Sequence, residues 1–166
     1  MKEIIRQIID ASPEKMIPYA EYMELALYHP EEGYYIKERK KIGKEGDFYT
    51  SSNVSDVFGK LIGKWFAKNF RNLGLPPSVC EIGAGNGRFA RAFIQGWSGL
   101  NDERLTYCIV EASPYHRKLQ EAELNCLEDV KILYGSTFSD TGMKQGLIFS
   151  NELFDAFPVH VVEKSE

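Results

Sequence analysis

Apolar residues recur at helical spacing through the first part of the chain. Two short stripes come first, and a longer stripe then runs from Val54 to Phe66 in alternating steps of three and one residues. Such spacing is typical of a helix that buries one face. We therefore expect two short helices, followed by a longer helix whose whole apolar stripe is buried. The three stripes are Ile4, Ile5, Ile8 and Ile9; Tyr19, Tyr22, Met23 and Ala26; and Val54, Val57, Phe58, Leu61, Ile62, Trp65 and Phe66.

Two glycines, Gly59 and Gly63, lie four residues apart on the third predicted helix. Glycine lowers helix propensity, but it lets another backbone approach closely. We therefore expect this helix to pack tightly against a neighbour.

After Pro76 and Pro77, short apolar runs alternate with amphipathic stretches. This alternation is typical of a parallel sheet joined by right-handed crossovers. We expect an α/β fold with a Rossmann-like parallel sheet and helices on both faces. Ser113 and Pro114 have the residue types of an N-cap and a first helical position. The predicted strands are 79–82, 107–110, 130–133 and 147–149, with a candidate fifth at 159–162, and the predicted helices are 88–95 and 114–124.

The change of pattern near residue 75 predicts two parts of the chain. Residues 1–75 would form a helical extension and lid, and residues 76–166 would form the sheet-containing core. The extension shows no alternation of strands and helices, which sets it apart from the core.

Three glycines follow the first predicted strand within five positions: Gly83, Gly85 and Gly87. In an open parallel sheet, ligands bind at the carboxyl ends of the strands, and glycines let a ligand contact the main chain there. The dinucleotide fingerprint G-x-G-x-x-G requires glycine where this chain has Arg88, so an NAD-binding oxidoreductase is the weaker match. The spacing E-x-G-x-G-x-G instead resembles the first motif of class I methyltransferases, which bind S-adenosylmethionine.

Two acids lie at the ends of neighbouring strands. Glu111 directly follows the second strand, where a carboxylate can accept hydrogen bonds from both ribose hydroxyls of a nucleoside. Glu81, at the end of the first strand, could face the methionine ammonium through water. The alternative for Glu111 is a solvated acid at a strand end.

Composition narrows the function further. The chain has 166 residues and a net charge of −4 without any basic stripe, which argues against nucleic-acid binding. No apolar run approaches the roughly 18 residues of a membrane span, and no targeting segment is evident. Cys80, Cys108 and Cys126 lack C-x-x-C spacing, so we expect free thiols in a reducing, cytoplasmic setting. We expect no metal site.

Five stretches together resemble the MidA-like methyltransferases. The resemblance runs through essentially the whole chain, and N-E-L-F-D-A-x-P-V is its most specific motif. The stretches are YMELALYHPEEGYY (22–35), GKEGDFYTSSNVSDVFGKLIGKW (43–65), CEIGAGNGRFARAFI (80–94), YCIVEASPYHRKLQ (107–120) and SNELFDAFPVHVVEK (150–164).

The resemblance implies a class I methyltransferase with an N-terminal helical extension and S-adenosylmethionine as the methyl donor. Mitochondrial members of the family methylate a protein arginine and assist assembly of respiratory complex I, so the implied partner is a protein substrate, with a respiratory complex subunit as one candidate. Glu81, Glu111 and the three glycines would contact the donor. Asp47, Phe48 and Thr50 would close the pocket from the extension.

Residues after the fourth strand are candidates for the acceptor site. An arginine acceptor stays protonated at physiological pH, so carboxylates must orient its guanidinium and take up its charge. Glu152 and Asp155 could form a fork for its N–H groups, and Asn151 could offer its side-chain carbonyl oxygen. The alternatives are an Asx-turn at Asn151 and a turn cap at Asp155.

A complete class I sheet has seven strands, and this sequence predicts four or five of them. We therefore expect a fold truncated before the last strands. This leaves a non-catalytic or incomplete donor-binding module as an alternative function. An exposed sheet edge would also allow a homodimer to form through it.

Overall fold

The computed structural model describes residues 1–37 and 55–164. Within these ranges the helices and strands follow the predicted order. They are α1 (Lys2–Ala11), α2 (Tyr19–Tyr28), α3 (Val57–Asn69), β1 (Ser78–Ile82), α4 (Arg88–Trp97), β2 (Leu105–Val110), α5 (Pro114–Leu124), β3 (Val130–Gly135) and β4 (Leu147–Ser150), with one-turn 3-10 helices at Ser139–Thr141 and Phe154–Ala156.

The described residues form two compact units. One contains residues 1–37 and 152–164, and the other contains residues 55–151. Helix α3 therefore groups with the sheet, whereas the predicted division at residue 75 placed it in the extension. The reason is its extensive packing on α4.

The four strands form one parallel sheet, as the alternating pattern predicted, and their order in the sheet is β3-β2-β1-β4. Cys80 of β1 pairs with Cys108 of β2 and with Ile148 of β4, so β1 lies in the interior of the sheet. The carboxyl ends of β1, β2 and β4 consequently lie at the same end of the sheet, where the loops that follow them meet.

The two faces of the sheet bury different residues. Val79, Tyr107 and Ile109 are fully buried in the larger apolar cluster, which includes residues of α3, α4 and α5. Cys80 and Cys108 belong to a smaller cluster with Leu133 and Met143. Both cysteines are free thiols, as expected from the sequence.

Glycines allow α3 and α4 to lie in close contact. A Cβ atom added to Gly59 would come 2.7 Å from the Cβ of Ala92, and one added to Gly63 would overlap the carbonyl group of Phe93. The close approach predicted from the glycine spacing is therefore confirmed.

The expectation that α3 buries its whole apolar stripe is wrong. Val57 and Leu61 are each 59% exposed and Trp65 is 49% exposed, whereas Phe66 is fully buried. The stripe comprises two adjacent rows, and α4 packs against the row that contains Phe58 and Phe66, next to the two glycines. Val54 lies outside the described residues.

The first unit joins the beginning of the chain to the segment after β4. The hydroxyl of Tyr28 donates a hydrogen bond to the carbonyl oxygen of Ala156 at 2.9 Å, and the rings of Tyr28 and Tyr35 are stacked. The candidate fifth strand at 159–162 is wrong, because these described residues form no strand. Val161 and Val162 are 77% and 87% exposed, so no neighbouring strand covers them.

Candidate functional site

The loop between β1 and α4 turns through three glycines with left-handed backbone conformations. The φ angles of Gly83, Gly85 and Gly87 are 74°, 54° and 81°. Residues with a Cβ disfavour this region, so the sharp turn depends on glycine. The amide of Gly83 donates to the carbonyl oxygen of Val110 at 2.9 Å, which ties the loop to the end of β2. The predicted sharp turn is therefore confirmed.

The third glycine also sets the position of α5. A Cβ atom on Gly87 would lie 3.1 Å from the Cα of Gln120. Gly87 was predicted only as a ligand contact, and its packing against α5 was not predicted.

Glu111 lies directly after β2 with its side chain only 10% exposed. Its Oε1 accepts a hydrogen bond from the amide of Ser113 at 2.9 Å, and its Oε2 lies 3.7 Å from Nδ1 of His116. The alternative of a solvated strand-end acid is therefore wrong. The hydroxyl of Ser113 also accepts from the amide of His116, which confirms the predicted N-cap of α5.

Gln120 of α5 joins the glycine loop to Glu111. Its Nε2 donates to the carbonyl oxygen of Gly85 at 2.8 Å and lies 3.4 Å from Oε2 of Glu111. Its side chain is fully buried. Gln120 was not predicted as a site residue, although a signal was present: His116, Gln120 and Leu124 lie at four-residue spacing, so two polar residues share a row with an apolar one.

Glu81 has a different environment from the one predicted. Its carboxylate is buried within the core, where Oε2 accepts a hydrogen bond from the hydroxyl of Tyr107 at 2.8 Å. Burial raises the pKa of Glu81 to about 7, although the Tyr107 hydrogen bond opposes this shift and the nearby charge of Glu111 adds to it. Tyr107, which was predicted only as part of a strand, is therefore the direct partner of this acid.

An ionic cluster fixes the beginning of α4 against the beginning of α3. Nε of Arg88 lies 2.9 Å from Oδ1 of Asp56, and a terminal nitrogen of Arg91 lies 3.2 Å from Oδ2. The hydrogen bond from Arg88 holds the pKa of Asp56 below its usual value, despite partial burial. Arg88, which replaces the last glycine of the dinucleotide fingerprint, thus stabilises the beginning of the helix that follows the loop.

The candidate acceptor residues are divided between the two units. Asn151 directly follows β4, whose last residue, Ser150, is paired with Ile82 just before the glycine loop. Glu152 and Asp155 belong to the other unit and are exposed, and Glu152 has a left-handed φ of 50°. Burial, and secondarily the charge of Asp155, raises the pKa of Tyr35 in that unit.

Three further candidates, Asp47, Phe48 and Thr50, lie outside the described residues. Within 1–37 and 55–164, no cluster of metal-ligating side chains is found. In the same ranges, no helix has the length and apolarity needed to cross a membrane.

Fold and site together define a class of protein. The class I methyltransferase arrangement consists of a parallel sheet with its first strand in the interior, glycine turns at the end of that strand and a largely buried acid after the neighbouring strand. A family model described as "Putative S-adenosyl-L-methionine-dependent methyltransferase" matches residues 61–166. The chain belongs to this family, as its MidA-like motifs predicted.

Curated relatives extend the match to nearly the whole chain. The Drosophila melanogaster "Protein arginine methyltransferase NDUFAF7 homolog, mitochondrial" is 34% identical over 98% of this chain and 41% of its own length. The Danio rerio protein arginine methyltransferase NDUFAF7, also named as mitochondrial, is 29% identical over 100% of this chain and 44% of its own length. The chain thus spans less than half the length of these relatives.

A solved structure supports the same fold. A superfamily member from Burkholderia thailandensis, crystallised with S-adenosyl-homocysteine, superimposes with a TM-score of 0.80 at 26% identity. The match covers 94% of this chain and 41% of the other.

The expectation of a cytoplasmic setting is contradicted by these comparisons. The Drosophila, zebrafish and human relatives are all named as mitochondrial proteins. Free cysteines do not distinguish one reducing compartment from another.

Proposed function

We propose that this chain is the donor-binding part of an S-adenosylmethionine-dependent methyltransferase that acts on a protein arginine. The observation that carries the proposal is the joining of the glycine loop to Glu111 through Gln120. This arrangement brings exposed main chain and a sugar-binding acid into one site. The names of the curated relatives and the ligand of the Burkholderia structure support the choice of donor and acceptor.

The chemistry of the residues fits a nucleoside ligand. A carboxylate has about four lone-pair positions, and the Ser113 and Gln120 contacts of Glu111 use one on each oxygen. Each oxygen therefore keeps acceptor capacity for one of two adjacent ribose hydroxyls. The left-handed turns at Gly83 and Gly85 present main chain without side chains at the carboxyl end of β1.

When bound, S-adenosylmethionine supplies a methyl group on a sulfonium centre, which a nucleophile displaces in line. The protein's task is to hold both reactants in this alignment, an effect worth about 7–11 kcal/mol of the barrier. Glu111 would fix the sugar, and the glycine loop would fix the depth at which the ligand lies.

Asn151, Glu152 and Asp155 remain our candidates for the acceptor site. Asn151 is supported by its position directly after β4, at the same end of the sheet as the glycine loop. Glu152 and Asp155 are exposed carboxylates available to a guanidinium group. We further propose that Glu81, Asp47, Phe48 and Thr50 contribute to the donor pocket, with Glu81 acting from within the core.

The proposed substrate is a protein, with a subunit of a respiratory complex as the leading candidate because of the family resemblance.

A homodimer is a separate proposal. Strand β4 forms one edge of the four-stranded sheet, and Ile148 on this strand is 56% exposed. Sedimentation equilibrium checks this proposal, since a purely monomeric chain would exclude a dimer.

Calorimetric titration tests the donor assignment. We expect S-adenosylmethionine and S-adenosyl-homocysteine to bind with one site per chain, and NAD to give no heat of binding. Saturable binding of NAD alone would instead support the oxidoreductase alternative. Donor binding without methylation of any protein would support the incomplete module.

A further inference from the structure

The side-chain amide of Gln120 has a fixed orientation. Both groups within reach of its Nε2, the Gly85 carbonyl oxygen and the Glu111 carboxylate, are acceptors only. Reversing the amide would place its oxygen against both of them, so the structure determines which end faces the loop.

This orientation leaves the other end of the amide unsatisfied. Oε1 of Gln120 is buried and has no hydrogen-bond partner among residues 1–37 and 55–164. A buried acceptor without a partner lowers stability, and most native buried polar groups avoid this state. This cost offsets the stability gained from the two hydrogen bonds on the Nε2 side, which leaves the placement of the Gly85 carbonyl and the Glu111 carboxylate as the role of this amide.

Packing fixes the position of this amide as well. The missing Cβ of Gly87 leaves room for Gln120, whose Cα and Cγ would lie 3.1 and 3.3 Å from such an atom. The side chain is therefore held between the loop and the body of α5, and it has little freedom to adopt another rotamer.

We propose that Gln120 is a positioning residue that sets ribose recognition by aligning the Glu111 carboxylate with the glycine loop. This inference rests on the proposed function, because the ligand is the nucleoside of S-adenosylmethionine. Ser113 holds Oε1 of Glu111, and Gln120 restrains Oε2, so the carboxylate plane is fixed from two sides. Loss of the Gln120 restraint lets the carboxylate rotate toward His116, 3.7 Å away.

Two variants of Gln120 test this role. Gln120→Met keeps the Cβ and Cγ atoms that pack on Gly87 and removes the donor, and Gln120→Glu keeps the shape and places a second carboxylate beside Glu111. The matched control is Gln95→Met, which makes the same substitution at an exposed position on α4. Thermal unfolding of each variant establishes that it is folded.

The measurement is the ratio of two dissociation constants, for S-adenosyl-homocysteine and for its 2′-deoxy analogue. In the unaltered chain and in Gln95→Met, the analogue should bind at least roughly tenfold more weakly, as expected for loss of a hydrogen bond to a charged acceptor. In Gln120→Met the ratio should fall close to one, and in Gln120→Glu both ligands should also bind more weakly.

The outcomes separate this inference from the proposed function. If S-adenosyl-homocysteine does not bind the unaltered chain, the proposed function fails. If it binds with sugar discrimination that Gln120→Met leaves unchanged, even with weaker overall affinity, Gln120 is only a packing residue and the inference is overturned. If both variants fail to fold, NMR of the unaltered chain decides: the Gln120 side-chain amide resonances should shift more with S-adenosyl-homocysteine than with the deoxy analogue, and equal shifts overturn the inference.

Discussion

The hydroxyl of Tyr107 donates a hydrogen bond to the carboxylate of Glu81 at 2.8 Å, and both side chains are buried between the sheet and its helices. The bond links adjacent strands of the sheet directly below the glycine loop. It stabilises the charged form of Glu81, but burial has the larger effect, so the pKa of Glu81 stands at about 7 against an ordinary value of 4.5.

This raised pKa predicts a stability that declines as the pH rises. The folded chain binds the Glu81 proton more tightly than the unfolded chain does, so the contribution is fully present below pH 4.5 and is lost as the pH rises to about 7. Glu81→Gln removes this titration and can still accept the Tyr107 hydrogen bond. Relative to the unaltered chain, the variant should gain on the order of 3 kcal/mol in unfolding free energy across this window.

Urea unfolding at a series of pH values checks the Glu81 prediction. The control is Tyr107→Phe, which removes the hydrogen bond that lowers the pKa of Glu81 and should extend the decline to higher pH. If the unaltered chain and Glu81→Gln show the same pH dependence, Glu81 does not titrate in this range.

Substitution of Gly85 should abolish donor binding. Gly85→Val places a β-branched side chain at a φ of 54° and covers the main chain where the ligand is proposed to lie. The matched control is Gly99→Val, at a φ of 75° in open space beyond α4, which imposes similar backbone strain away from the site. Calorimetry should show no binding of S-adenosyl-homocysteine to the first variant and normal binding to the second. Equal affinity in both would count against the assigned site.

Substitution of Gly63 should separate α3 from α4. A Cβ atom at this position would overlap the Phe93 carbonyl group, so Gly63→Ala must displace one helix. Overpacking of this kind costs about 1–3 kcal/mol of unfolding free energy. Lys64→Ala, on the exposed side of the same helix, should have little effect. Urea unfolding of the two variants measures the difference, and equal stability would show that the helices adjust freely.

Removal of the Asp56 charge should weaken the connection between α3 and α4. Asp56→Asn loses the ion pairs with Arg88 and Arg91 and should cost about 1 kcal/mol, because the side chains are partly exposed. The pKa of Asp56 is lowered in the folded state, so its contribution is present at neutral pH and is lost as the pH falls through that pKa. Urea unfolding should therefore show a difference in unfolding free energy between the unaltered chain and Asp56→Asn that disappears in acid and becomes smaller at high salt. A difference that does not depend on pH would assign the lost stability to packing.

Most of the fold could be predicted from the sequence because each element carries a local signal. The strands are short apolar runs, and Ser113 and Pro114 mark the beginning of α5. The glycine turn was also evident, since left-handed conformations depend on glycine. These features are set by residues close together in the chain.

Features that depend on distant residues could not be predicted in this way. The apolar stripe of α3 showed that the helix is amphipathic but not which row α4 covers, so the exposure of Trp65 was missed. Likewise, Glu81 and Gln120 have partners on other elements, Tyr107 and Gly85, which no local pattern identifies. The exposed valines after Pro158 had strand-like composition without a strand to pair with.

The close contact between Gly87 and Gln120 limits how this binding site can be redesigned. Gly87 both bends the loop and provides the space that α5 occupies, so any larger residue there would alter two features at once. Engineering of ligand preference is therefore better attempted from α5, where exchanging the amide of Gln120 changes the polarity of the site without changing the path of the chain.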